Sequence, residues 1–115
     1  MIRSMTELIK DIRRVNGATV VVAVGEIDMR QSPEFHRALV ELVAERPGRL
    51  VIDLSQVAYI DSSGVGTLVE IFRRVKSYQG KLALVAPVPR VMSMLEITRL
   101  NQFFQIVPSE REALQ

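Results

Sequence analysis

Apolar and polar positions alternate in blocks along the chain, and each block has the period of one kind of element. "ATVVVAVGEID" carries a β-branched apolar run, Thr19 to Val24, bounded by Asn16-Gly17 and Gly25, which predicts a buried strand. Before it, "DIRRV" is placed to pair antiparallel through an Asn16-Gly17 turn. Further upstream, Ile2, Met5, Leu8, Ile9 and Ile12 fall at nearly helical spacing, and Ser4 with Glu7 makes a capping-box pattern. That pattern fits a short helix that precedes the first strand or replaces part of it, so residues 1–10 read as an extension or helix.

"SPEFHRALVELVAERPG" opens with Ser32 as N-cap, Pro33 at the first helical position and acidic Glu34, and stops at Pro47-Gly48. Phe35, Ala38, Leu39, Leu42 and Val43 form one stripe, so the segment predicts an amphipathic helix. Arg49 to Leu54 then reads as a short buried strand. After a brief connection, Val65, Leu68, Val69, Phe72 and Val75 define a helical face from Ser63 to about Tyr78, ended by Gly80. A strand over Lys81 to Ala86, a helix from Pro89 to about Ile97, a last strand in "FFQIV" and a short helix capped by Ser109 with Glu112 complete the chain. Strands alternating with helices of this length require crossover connections. The expected architecture is one α/β domain over residues 1–115, with a mostly parallel sheet of four to five strands and an antiparallel first hairpin.

Composition narrows the function. The 115 residues are 48% hydrophobic and 24% charged, enough for a real core and far from the profile of a disordered chain. Fifteen Lys and Arg against thirteen Asp and Glu leave +2, with the signs interspersed despite a pI of 9.4, so no basic stripe for nucleic acid is present. There is no cysteine and one histidine, which excludes disulfides, thiolate metal sites and multi-His metal sites. No cofactor is implied. No stretch reaches the roughly 18 to 20 apolar residues of a membrane span, and the charged N-terminus lacks a signal-peptide apolar region. The expectation is a cytoplasmic protein with no membrane insertion.

The chemistry-bearing stretch is "YIDSSGVGT", Tyr59 to Thr67, at a strand-to-helix boundary. A serine nucleophile at Ser62 or Ser63 fails because the pattern is not Gly-x-Ser-x-Gly and His36, the one histidine, lies in an amphipathic helix beside Phe35. A phosphate-cradling loop at Gly64 and Gly66 lacks the Gly-Lys-Ser/Thr signature. An ordinary N-cap at Asp61, Ser62 or Ser63 accounts for one polar residue, worth about 1 kcal/mol. It leaves two glycines that each weaken a helix by roughly 1 kcal/mol, and whose use is to let another surface approach bare backbone. The "GEID" loop, with Glu26 and Asp28, emerges at the same carboxyl edge of the sheet, where open α/β folds place binding sites. Glu26 and Asp28 read equally well as solvated loop acids or as partner-binding residues.

"GEID", "LVIDLSQVAYIDSSGVGTLVEI" and "KLALVAPVPRVMSMLEITRL" resemble, in order and spacing, the STAS domain of anti-sigma factor antagonists, from about Ile12 onward. The resemblance implies a non-enzymatic module that works by partner switching. Unphosphorylated, such a protein binds an anti-sigma factor that is also a serine kinase and so frees a sigma factor; phosphorylation ends the interaction and a phosphoserine phosphatase restores it. The resemblance assigns the phosphate to Ser62, with Ser63 as runner-up, matches Asp61, Ser63 and Gly64 to the surrounding motif, and puts Asp28 at the kinase-facing surface. It also implies an alternative, a structural STAS subunit of a lipid-transporting ABC system or a stressosome-like scaffold. Arg99 in "EITRL" stands where the family usually has glycine, and "MRQSP" after Asp28 is an uncommon form of that loop.

Overall fold

A computed structural model describes residues 7–115. The elements run β1 (Ile9–Val15), β2 (Ala18–Ile27), α1 (Ser32–Val43), β3 (Arg49–Ile60), α2 (Ser62–Lys76), β4 (Lys81–Val85), α3 (Pro89–Ile97), a 3-10 turn (Leu100–Gln102), β5 (Gln105–Val107) and α4 (Glu110–Ala113). The hairpin between β1 and β2 forms as its sequence predicts. Asn16 and Gly17 both take positive φ, 51° and 84°, the geometry that a tight two-residue turn demands and that Asn-Gly tolerates. Over residues 9–15 a strand replaces the helical alternative, because pairing Ile12 with Val21 seats it on the same core face. Ile2, Ser4 and Met5 of the helical pattern lie outside the described residues.

The sheet has five strands in the order β1-β2-β3-β4-β5, antiparallel only at the first pair. Alternation along the strands sends Val21, Ile52 and Leu84 to one face, where Phe35 and Leu39 of α1, Leu68 and Ile71 of α2, and Val91 and Leu95 of α3 cover them. Each of these side chains is fully enclosed, a contribution of about 1.5–3 kcal/mol apiece from burial. The opposite face carries Val20, Val51, Ala83 and Val85, which pack on Ala113 of α4. There Arg13 of β1 holds Glu110 through two hydrogen bonds, 2.8 and 2.5 Å.

Three sequence expectations change. Ser32 is not the N-cap of α1: Gln31 occupies that position without a side-chain cap bond, and Ser32 is a buried first residue. The reason is upstream, where the Asp28 carbonyl accepts from the N–H groups of Gln31 and Ser32. β3 is twelve residues long and runs to Ile60, twice the apolar run, because its second half pairs with β2 beyond irregularities at Val22/Val24 and Gly25/Glu26. By the same pairing Gly25 to Ile27 belong to β2, so Glu26 sits on a strand end. The stripe of α2 also gains Ile71, while Val69 and Phe72 are half-buried. Among the described residues no helix is long and apolar enough to cross a membrane.

Candidate functional site

Parallel pairing of β2 with β3, in register at Ile27 and Ile60, ends both strands at one edge. The first residue beyond β3 is tied across: the Asp61 N–H donates to the Ile27 carbonyl at 3.1 Å. Asp28, the first residue beyond β2, folds its own loop, its carboxylate accepting from the N–H groups of Arg30 and Gln31 at 3.0 and 3.1 Å. Two loops distant in sequence are thus fixed side by side.

Asp61 is the N-cap of α2. One of its carboxylate oxygens accepts from the Ser63 N–H (2.9 Å), the Ser63 hydroxyl (2.6 Å) and the Gly64 N–H (3.2 Å). The backbone N–H of Met29, in the neighbouring loop, also favours the anion. The Ser63 hydroxyl above all, with these N–H groups, holds the Asp61 carboxyl below its usual range against a smaller opposing effect of desolvation. Asp61 is therefore an anion that organises the helix start and the β2–α1 loop together.

The two serines differ sharply. Ser63 is half-buried and its hydroxyl is committed to Asp61. Ser62, the first residue of the fifteen-residue helix, is exposed, and its hydroxyl has no hydrogen-bond partner among the described residues. The two glycines differ as well. A Cβ on Gly64 would lie 2.6 Å from Ile60 Cγ1 and 2.8 Å from Ile27 Cγ2, so this glycine lets α2 seat on the strand ends. Gly66 is exposed, with nothing within 4 Å of the corresponding position. Internal packing accounts for Gly64, and bare backbone open to an approaching surface describes Gly66.

The structure adds residues to this edge that the sequence pattern did not single out. Met29 is 75% exposed beside the Asp61 cap. Arg90, at the start of α3, places its guanidinium 5.1 Å from the centroid of the Tyr59 ring, a cation–π contact worth about 0.5–1 kcal/mol at an exposed site. A lone methionine after an acidic loop is a weak signal, and the Tyr59–Arg90 contact depends on β3 and β4 being neighbours. The edge combines Glu26, Asp28 and Asp61 with one exposed hydroxyl and an exposed thioether. His36 lies elsewhere, on α1, with its ring nitrogen 2.5 Å from Glu70 of α2. No hydrogen bond joins it to either serine among the described residues, so no nucleophile–base pair forms. Among the same residues no cluster of His, Cys, Asp or Glu is arranged to hold a metal.

A five-stranded sheet with this order, three helices on one face and a serine-bearing helix start at its carboxyl edge defines a class. Residues 9–113 match the STAS domain family, and the chain belongs to it. Within that family the chain is 32% identical over 105 residues to the anti-sigma-B factor antagonist of Bacillus subtilis, covering 91% of this chain and 95% of that one. It is 33% identical over 92 residues to the anti-sigma-B factor antagonist of Listeria monocytogenes, covering 80% and 81%. The crystal structure of an anti-sigma factor antagonist from Mycobacterium paratuberculosis superposes with a TM-score of 0.82 at 32% identity, covering 90% of this chain and 87% of that one.

Proposed function

We propose that the protein is an anti-sigma factor antagonist controlled by phosphorylation of Ser62. In the unphosphorylated state the edge formed by Glu26, Asp28, Asp61, Ser62, Ser63 and Gly66 docks on an anti-sigma factor with serine kinase activity and so releases a sigma factor in the cytoplasm. Gly64 serves this surface from beneath by setting the height of α2. Phosphate transfer to Ser62 ends the complex, and a phosphoserine phosphatase restores the binding form. The protein itself acts as a binding module.

The observation that carries this reading is the contrast between an exposed, unbonded Ser62 hydroxyl and a Ser63 hydroxyl held by Asp61. A kinase needs a hydroxyl free to reach the transferring phosphoryl group, and Ser62 alone of the pair has one. The names of the relatives at 32–33% identity support the partner class. A phosphate adds about −1.5 to −2 charge at the helix start, where the dipole tolerates an anion, so the domain stays folded. In a docked complex the same charge would be buried beside the Asp61 anion, a like-charge arrangement that is costly.

The test is phosphorylation by the cognate anti-sigma kinase with ATP, read by intact-protein and peptide mass spectrometry. Wild-type protein and Ser63→Ala take up one phosphate, and Ser62→Ala takes up none. Undiminished uptake by Ser62→Ala overturns the assignment.

A further inference from the structure

Away from the carboxyl edge, a groove of about 210 Å³ runs between α2 and the 3-10 turn, lined by Val69, Phe72, Arg73, Leu100, Phe103 and Phe104. At its floor Phe72 and Phe104 meet edge to face, with centroids 5.5 Å apart and rings at 81°. Its lip is apolar and open to solvent, with Phe103 66% exposed. A large apolar side chain held this far into water beside a formed cleft marks a contact surface.

The charge at the groove indicates what fills it. Arg73 lines the cleft, is exposed, and makes no ion pair among the described residues, whereas its neighbour Arg74 is held by Glu70. Arg99, directly before Leu100, is likewise exposed and unpaired there, and Glu96 three residues earlier makes no bridge to it. Arg99 also takes φ 63°, a left-handed conformation that disfavours every residue with a Cβ. A cation is thus kept at a position whose backbone geometry suits glycine. The volume lies below the roughly 300–1,000 Å³ of small-molecule sites, and Arg73 is the one charged side chain lining it. That size and lining fit one or two apolar side chains of a polypeptide.

We propose that this groove docks an acidic amphipathic segment of a partner protein. One large apolar side chain inserts against Phe72, Phe103 and Phe104, and carboxylates flanking it pair with Arg73 and Arg99, in the manner of other short segments that anchor in grooves. The groove begins seven residues along α2 from Ser62, about 10 Å at 1.5 Å per residue. It is a second surface, independent of the phosphate acceptor.

The test is a ¹H–¹⁵N NMR titration of the full chain with two synthetic peptides, acetyl-EELFEE-amide and acetyl-KKLFKK-amide. The acidic peptide shifts the amides of Val69, Arg73, Leu100 and Phe103, and the basic one does not. Arg73→Glu and Phe103→Ser each weaken the acidic peptide at least tenfold while circular dichroism shows an unchanged fold. If Phe103→Ser fails to fold, Arg73→Glu and the charge-reversed peptide still decide. Equal shifts from both peptides, no shifts at millimolar peptide, or shifts confined to other residues overturn the proposal. So do shifts at these residues on raising protein concentration alone, which would put a second copy of the chain in the groove.

Discussion

Adding one methyl group at each of two positions in the same turn of α2 has opposite consequences. At Gly64 the new Cβ would stand 2.6 and 2.8 Å from carbons of Ile60 and Ile27, against an ordinary carbon contact of about 3.5–4.0 Å. The overlap is close to 1 Å on two side chains that are β-branched and fully buried, so neither can swing aside. Overpacking of this kind costs about 1–3 kcal/mol, from which the helix preference of alanine over glycine recovers roughly 1 kcal/mol. Gly64→Ala therefore loses up to about 2 kcal/mol net, a fall in thermal midpoint of up to roughly 8 °C for a domain of this size. At Gly66 no atom lies within 4 Å, so Gly66→Ala keeps the helix gain and rises by up to roughly 4 °C. Far-UV circular dichroism melts, with urea unfolding as a second measure, read both. Gly64→Ala at or above wild-type stability, or Gly66→Ala below it, refutes the packing argument. Kinase binding by the folded Gly66→Ala protein then shows whether bare backbone matters at that position.

Ser62→Glu leaves the melting temperature within a few degrees, as a surface change does, and lowers affinity for the cognate anti-sigma kinase by roughly tenfold or more, about 1.4 kcal/mol per decade; unchanged affinity in a pull-down or calorimetric titration counts against the switch. Asp61 has its carboxyl held below the ordinary 3.8, first by the Ser63 hydroxyl. Its anion therefore contributes stability that is fully present above that ordinary value and lost as pH falls through the lower folded-state value. The urea-midpoint advantage of wild type over Asp61→Asn accordingly shrinks as pH falls below about 4, and a constant gap contradicts it. Arg99→Gly relieves a left-handed backbone worth about 1–2 kcal/mol, less about 0.5–1 kcal/mol of glycine entropy, so its melting temperature rises by a few degrees; a fall refutes the strain.

What the sequence made legible was local. Asn16-Gly17 specifies its own turn, and the stripe of Phe35, Ala38, Leu39, Leu42 and Val43 is buried as its spacing requires. Ser109 accepts from the Glu112 N–H, as its capping pattern anticipates. What stayed hidden depends on neighbours far along the chain. The second half of β3, set off from the apolar run by Ser55 and Gln56, becomes strand because β2 lies beside it. Ser32 lost the cap to backbone bonds made by Asp28. The packing role of Gly64 needs Ile27, thirty-seven residues away, and the contrast between the free Ser62 hydroxyl and the bonded Ser63 hydroxyl needs the direction of one side chain. The element pattern brought Asp28 and Asp61 to one edge, and only the register of β2 and β3 shows the Asp61 N–H bonded to the Ile27 carbonyl.

The strand order has a consequence for how the molecule is made. Every strand lies beside its predecessor, so chain leaving a ribosome adds each new strand to an edge already present, with no gap held open for a later one. Both loops of the carboxyl edge and the start of α2 are synthesised by residue 64, before β4 exists. The last element reverses this locality, since Glu110 reaches back across 97 positions to Arg13 and Ala113 closes the second sheet face. Until that final turn emerges, Val20, Val51, Ala83 and Val85 lack their cover. The carboxyl edge is thus complete in sequence well before the cover of the second sheet face.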